Sequence, residues 1–112
     1  MQYLIQIYSD PTGWEQVPAS EREAISQEYF AISDRAGVLG GAQLQPAETA
    51  TTVRVQDGQT LTTDGPFTET KEVLAGYYLL EAADRDAAIE LAAAIPAARL
   101  GGAVEVRPLV QY

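Results

Sequence analysis

The amino-acid sequence predicts a single α+β domain, an antiparallel sheet with two helices packed on one side. Strand-like runs lie at both ends of the chain, "YLIQIY" at Tyr3 to Tyr8 and "AVEVRPLVQY" from Ala103 onward. Between them are two stretches with apolar residues at helical spacing, one in each half. Midway sits Asp57-Gly58, a two-residue turn flanked by β-branched residues, which is a strong short-range hairpin signal.

Each element can be justified in order. Tyr3, Ile5 and Ile7 alternate onto one face of the first strand. "SDPTGW" follows as turn chemistry, with Asp10 as the turn former. Ser20 and Glu23 have the spacing of a capping box, and Ile25, Tyr29, Ile32 and Ala36 then recur as an amphipathic stripe. Gly37 stands where that helix should stop. "VLGGAQLQP" resumes as a strand ended by Pro46, and Gly40-Gly41 within it suggests a bulge or a close backbone approach.

The hairpin "TATTVRVQDGQTLTTD" comes next. Counting outward from Asp57-Gly58 sets Gln56 against Gln59, Val55 against Thr60, Val53 against Thr62 and Thr51 against Asp64. "EVLAGYYLLEA" is a nearly continuous apolar strand, which implies cover on both of its faces. Asp84 caps a second helix whose stripe is Ala88, Leu91, Ala92 and Ile95, closed by Pro96 and Gly101-Gly102.

The order β-α-β-(hairpin)-β-α-β, with both helices on one face, is a ferredoxin-like α+β sandwich. Its other sheet face needs a lid. Tyr8, Tyr77 or Tyr78, and Leu79 or Leu80 would lie there, and a second copy of the chain is the simplest cover. The expectation is a homodimer with sheet faces packed together.

Composition narrows the chemistry. The chain has 112 residues, long enough for one core without staples. It has no cysteine and no histidine, so thiolate chemistry is excluded, and with it the commonest general base and metal ligand. Only carboxylates remain as metal ligands, and they show no calcium-loop spacing, so neither metal nor cofactor is expected. Seven basic against sixteen acidic residues give a net charge of -9, which disfavours nucleic acid as a partner. No apolar run approaches a membrane span, and "MQYLIQIYSD" lacks a basic leader, so the expected location is the cytoplasm.

The segment "TATTVRVQDGQTLTTDGPFTETKEVLAGYYLLEA" resembles the signature region of DGPF-domain proteins of the YCII-related group. The likeness extends from "YLIQIY" through "DRAGVLGGAQLQP" to "GGAVEVRPL", and DGPF-x-E-x-K-E followed by G-Y-Y is its specific part. The resemblance implies a ferredoxin-like fold that forms a dimeric α+β barrel with a cleft in each subunit. It further implies kinship with a dehydrochlorinase-like enzyme and with muconolactone isomerases. A His-Asp pair is proposed as catalytic in that branch, and a chain without histidine cannot carry it. DGPF proteins are often encoded beside extracytoplasmic-function sigma factors or joined to them, which implies a regulatory or accessory role.

The candidate cleft residues are Asp64, Phe67, Glu69, Asp10, Tyr8 and Tyr29. An aspartate in a turn usually accepts from the amide two residues on, but Pro66 has none, so Asp64 must look to Phe67 or beyond. It shares a face with Val53 and Val55, where it would lie at a pocket rim; a structural cap is the plainer role. Phe67 is expected to anchor in the core or else line a pocket. Glu69 and Glu72 read as solvated surface or, if buried, as a general base. Lys71, the one lysine, reads as a solvated or salt-bridged amine between them. Arg54 and Arg107 are possible anion contacts; Arg107 reads more simply as a solvent-facing edge residue. Tyr8 and Tyr29 could each reach a cleft.

Two functions stand open beside a purely structural dimerisation module. One is a small dimeric accessory or regulatory protein that binds a small molecule or a protein such as a sigma factor. The other is a histidine-independent isomerase or lyase acting on a small cyclic or aromatic substrate.

Overall fold

In the computed structural model, which describes all of residues 1–112, β1 (Gln2–Ser9) is the strand on which the fold is assembled. It pairs antiparallel with β5 (Val73–Glu81) on one side and with β6 (Ala103–Pro108) on the other. β2 (Val38–Gln43) pairs with the outer edge of β5, giving the order β2-β5-β1-β6. That order, with its two crossing helices, is the ferredoxin-like arrangement the sequence predicts.

Alternation along β1 sorts its side chains. Tyr3, Ile5 and Ile7 are buried, while Leu4, Gln6 and Tyr8 point to the opposite face. On β5 the buried set is Gly76, Tyr78 and Leu80. The helices α2 (Ala19–Ser33) and α3 (Arg85–Ala93) close over this side with Ile32, Ala88, Leu91 and Ala92. Ile95 lies one residue past the cap of α3 and is fully buried. The Tyr78 hydroxyl, inside this core, donates to the Tyr29 carbonyl at 2.9 Å.

Local chemistry explains the element ends, two of which differ from expectation. "SDPTGW" forms a short helix, α1 (Pro11–Glu15), because Pro11 is preset for a first helical position and Asp10 Oδ1 accepts from the Thr12 amide at 3.0 Å. The Ser20–Glu23 capping box does not form. The chain enters α2 directly from Pro18, so Ser20 is already inside the first turn. Arg22 secures that entry, donating from Nε to the Val17 carbonyl at 2.7 Å and from Nη2 to the Glu15 carbonyl at 3.0 Å. At its other end α2 stops at Ser33 and not at Ala36, and Gly37, at φ +90°, turns the chain into β2. Asp84 caps α3 as expected, accepting from the Ala87 amide at 2.9 Å.

Both anticipated effects of Gly40-Gly41 are present. The β2–β5 register slips between Val38 and Gly40. A Cβ on Gly41 would come 2.5 Å from the Tyr77 carbonyl oxygen and 2.8 Å from Tyr78 Cδ1.

The predicted hairpin forms as β3 (Thr51–Gln56) and β4 (Gln59–Asp64), in the register counted from Asp57-Gly58. It makes a separate two-stranded sheet and does not extend the main one. Asp57 and Gly58 both take positive φ, as a primed hairpin turn requires.

Two measurements on the core follow. Gly41→Ala should destabilise the protein by about 1–3 kcal/mol in urea unfolding, whereas Gly40→Ala, which faces open space, should change it by less than ~0.5 kcal/mol. Burial raises the Tyr78 and Tyr29 phenols above their ordinary value of 10.0. The folded state therefore holds the phenolic protons more tightly than the unfolded chain does. That contribution to stability is complete below about pH 10 and is lost as pH climbs through the raised values. Melting temperature against pH should fall on the alkaline side, and less so in Tyr78→Phe.

Candidate functional site

The face of the sheet opposite the helices is open. Register places Leu79 and Tyr77 of β5 beside Leu4 and Gln6 of β1, with Tyr8 opposite Leu74 at a bulge between Ile7 and Tyr8. From β6, Arg107 lies opposite Leu4, Glu105 opposite Gln6 and Ala103 opposite Tyr8. Gly40 and Ala42 of β2 complete the face with small side chains. The ambiguity over the tyrosines and leucines is thereby resolved. Tyr78 and Leu80 belong to the core, and Tyr77 and Leu79 to the open face. Tyr77 and Leu74 are each 38% exposed, so the cover expected over both faces of β5 is supplied on one face only within a single chain.

Three ionisable groups meet on this face. Arg107 Nη2 is 3.8 Å from Glu105 Oε1 in an exposed pair, in line with the solvent-facing edge position expected for Arg107. Burial raises the Tyr8 phenol above its usual value; the Glu105 carboxylate raises it further, and the charge of Arg107 pulls it back. A phenol, a carboxylate and a guanidinium thus stand together beside an apolar strip, able to take a ring on one part and a polar substituent on another.

The signature loop lies at the end of β1. Ser9 pairs with Val73, and Lys71, two residues before Val73, sends Nζ to within 3.9 Å of Asp10 Oδ2. Lys71 is therefore solvated and salt-bridged, but its partner is Asp10, with Glu69 and Glu72 both exposed. The turn after β4 is held by backbone and hydroxyl contacts. Gly65, at φ +100°, donates its amide to the Ala50 carbonyl at 2.7 Å, and Thr52 Oγ1 donates to the Gly65 carbonyl at 2.9 Å. Asp64 faces Thr51 in the counted register and is solvent-exposed, because the hairpin stands clear of the body.

Phe67 does not anchor in the core. It is 73% exposed, and the Arg54 guanidinium lies 5.0 Å from its ring centroid, a cation–π contact that fixes the loop against the hairpin. Tyr29 and Tyr8 lie on opposite sides of the sheet, so no one cleft holds both. Of the sequence-nominated residues, Asp10 meets Lys71, and Tyr8 meets Glu105 and Arg107. Asp64 and Glu69 join neither group.

Glu105 was missed as a site residue. Alternation in "AVEVRP" sets it and Arg107 on one face, but only the β1–β6 register brings that face to Tyr8. Two shallow grooves lie on the helix side. One of about 370 Å³ is lined by Arg35, Leu80, Glu81, Glu90 and Leu91. The other, about 260 Å³, is lined by Ile89, Ala92, Val104 and Val106. Neither includes any of the six candidate cleft residues. No helix is long and apolar enough to cross a membrane.

Fold and site define a ferredoxin-like α+β protein whose sheet is covered on one face only. A family model, the YCII-related domain, matches residues 1–112. An uncharacterized protein of Rhizobium meliloti (strain 1021) is 37% identical over 117 aligned residues, which cover 100% of this chain and 94% of the relative. The chain belongs to the YCII-related family.

The Tyr8 cluster can be probed by titration. Glu105→Gln should bring the Tyr8 phenol down toward the ordinary tyrosine value, and Arg107→Ala should push it further up. Both shifts can be read from tyrosinate absorbance, with Tyr8→Phe as the subtraction standard; no change in either variant would remove Tyr8 from the cluster.

Proposed function

We propose that the protein works as a homodimer joined through the open sheet faces, an accessory protein that holds a small cyclic or aromatic molecule at the Tyr8 end of the sheet. One observation carries this reading. The chain exposes 7922 Å², whereas a folded monomer of 12.0 kDa exposes about 6,000 Å². The excess, roughly 1,900 Å² per chain, is surface that monomers of this size ordinarily bury. Its radius of gyration of 15.9 Å likewise exceeds the ~13 Å of a compact chain of this length. Leu4, Leu74, Tyr77 and Leu79 are the apolar part of that surface on the sheet.

A second sheet laid over this face would enclose Tyr8, Glu105 and Arg107 at its edge. The exposed Arg107–Glu105 pair is worth little by itself, so Arg107 is free to exchange its partner for a ligand carboxylate. The net charge of -9 is screened beyond about 8 Å at physiological salt, so the local arginine decides. As a protein partner, the DGPF resemblance suggests an extracytoplasmic-function sigma factor. Tyr8 beside Glu105 also keeps the isomerase or lyase reading alive, with the phenol as acid and the carboxylate as base.

Two measurements test the proposal. Sedimentation equilibrium at micromolar concentration should give twice the 12.0 kDa chain mass, and Tyr77→Asp with Leu79→Asp should return it to one. Benzoate titrated into labelled protein should shift amides of β1 and β6 near Tyr8 and Arg107, and Arg107→Ala should weaken the effect at least ~10-fold, as loss of a charged hydrogen bond does. Absence of any shift would end the ligand assignment.

A further inference from the structure

We infer that the β3–β4 hairpin is a dimer arm whose valine face is covered by a second copy of this chain. The inference rests on the homodimer proposed above and adds to it a second contact surface. Every residue from Thr51 to Asp64 except Thr52 is exposed, with Val53 at 58%, Val55 at 68% and Leu61 at 43%. β3 pairs with β4 alone, and an isolated two-stranded ribbon is at best marginally stable in water without a third strand or a packed face.

The two faces of the arm are not equivalent. One carries Arg54 and Leu61, and Phe67 lies beneath the Arg54 guanidinium, so this side has a contact within its own chain. The other presents Thr51, Val53 and Val55 beside Thr60, Thr62 and Asp64, and its valines are uncovered. β-Branched residues in this alternation suit a half-buried strand surface.

Area identifies the occupant. The four-stranded face, at about 4.8 Å between strands and 3.3 Å per residue, projects roughly 400 Å². That is far below the excess of roughly 1,900 Å² over a monomer of this mass, and the arm, exposed along nearly its whole length, holds much of the remainder. If both copies buried their excess, the interface would fall in the range of about 2,000–5,000 Å² typical of obligate homodimers.

Shape and charge agree with a second copy. The molecule is a slab of 45 × 43 × 19 Å, and 19 Å is little more than one sheet plus one helix layer. The arm therefore extends sideways and does not rise over its own open face. A second slab stacked on that face and reaching past its edge would lie across the arm, and by two-fold symmetry its own arm would receive the same contact. Between Thr51 and Asp64 the arm carries Arg54, Asp57 and Asp64, so a chain of net charge -9 would meet its copy there on a segment with little net charge.

The test compares wild type with Val53→Asp/Val55→Asp, a pair of surface changes that leaves the core untouched. Dimer dissociation constants come from sedimentation, and far-ultraviolet circular dichroism checks the fold. The inference expects the constant to rise at least tenfold with the spectrum kept. A dimeric wild type whose constant is unchanged in the variant overturns the arm and leaves the sheet-face dimer standing. A monomeric wild type overturns both. Should the variant misfold, hydrogen exchange on the unmodified protein decides instead. Amides of Arg54, Gln56, Gln59 and Leu61, the hydrogen-bonded pairs of the ribbon, should exchange slowly in the dimer and rapidly in Tyr77→Asp/Leu79→Asp, and equal rates in both overturn the arm.

Discussion

Two helices can cover one face of a four-stranded sheet, and everything else about this molecule follows from the face they leave bare. β1 lies between β5 and β6 and alternates along its length, so Tyr3, Ile5 and Ile7 enter the core only by sending Leu4, Gln6 and Tyr8 the other way. β5 does the same with Tyr78 and Leu80 against Tyr77 and Leu79. A strand apolar at successive positions has no orientation that buries both sets under one layer of helices. Only 14 of 112 residues are buried, and this division of the apolar residues is a main reason.

The same alternation assembles the candidate site. Glu105 and Arg107 sit outward on β6 because Val104 and Val106 sit inward, and antiparallel register carries them to Tyr8. No catalytic histidine is needed to explain such a cluster; it is a polar corner on an apolar face. The signature loop contributes at one remove. Lys71 meets Asp10 at the end of β1, while Phe67 under Arg54 fastens the loop to the hairpin. The DGPF residues accordingly read as the joint between the body and its hairpin, with Gly65 as the pivot.

What the sequence made legible was what local chemistry decides. Asp57-Gly58 specified the hairpin register residue by residue, since a two-residue turn permits only one count. Asp84 named its own cap, and Gly40-Gly41 announced both the bulge and the close approach. Non-local geometry was less accessible. Ser20 and Glu23 had the spacing of a cap, but Pro18 and Arg22 had already settled the entry of α2. Phe67 looked like a core residue because apolar residues in polar loops usually are, and nothing nearby in the chain discloses Arg54 above it. Asp64 lies on the valine face as counted, yet whether that face looks into a pocket or into water depends on where the hairpin stands relative to the body.

We propose that the bare face and the hairpin are both covered by a second copy of the chain. Small-angle X-ray scattering on the untagged protein at micromolar concentration tests it most directly, because mass and shape come from one curve. A homodimer should give forward scattering for twice 12.0 kDa and a radius of gyration clearly above the 15.9 Å of one chain. Forward scattering for a single chain with a radius of 15.9 Å, unchanged across a concentration series, would contradict it.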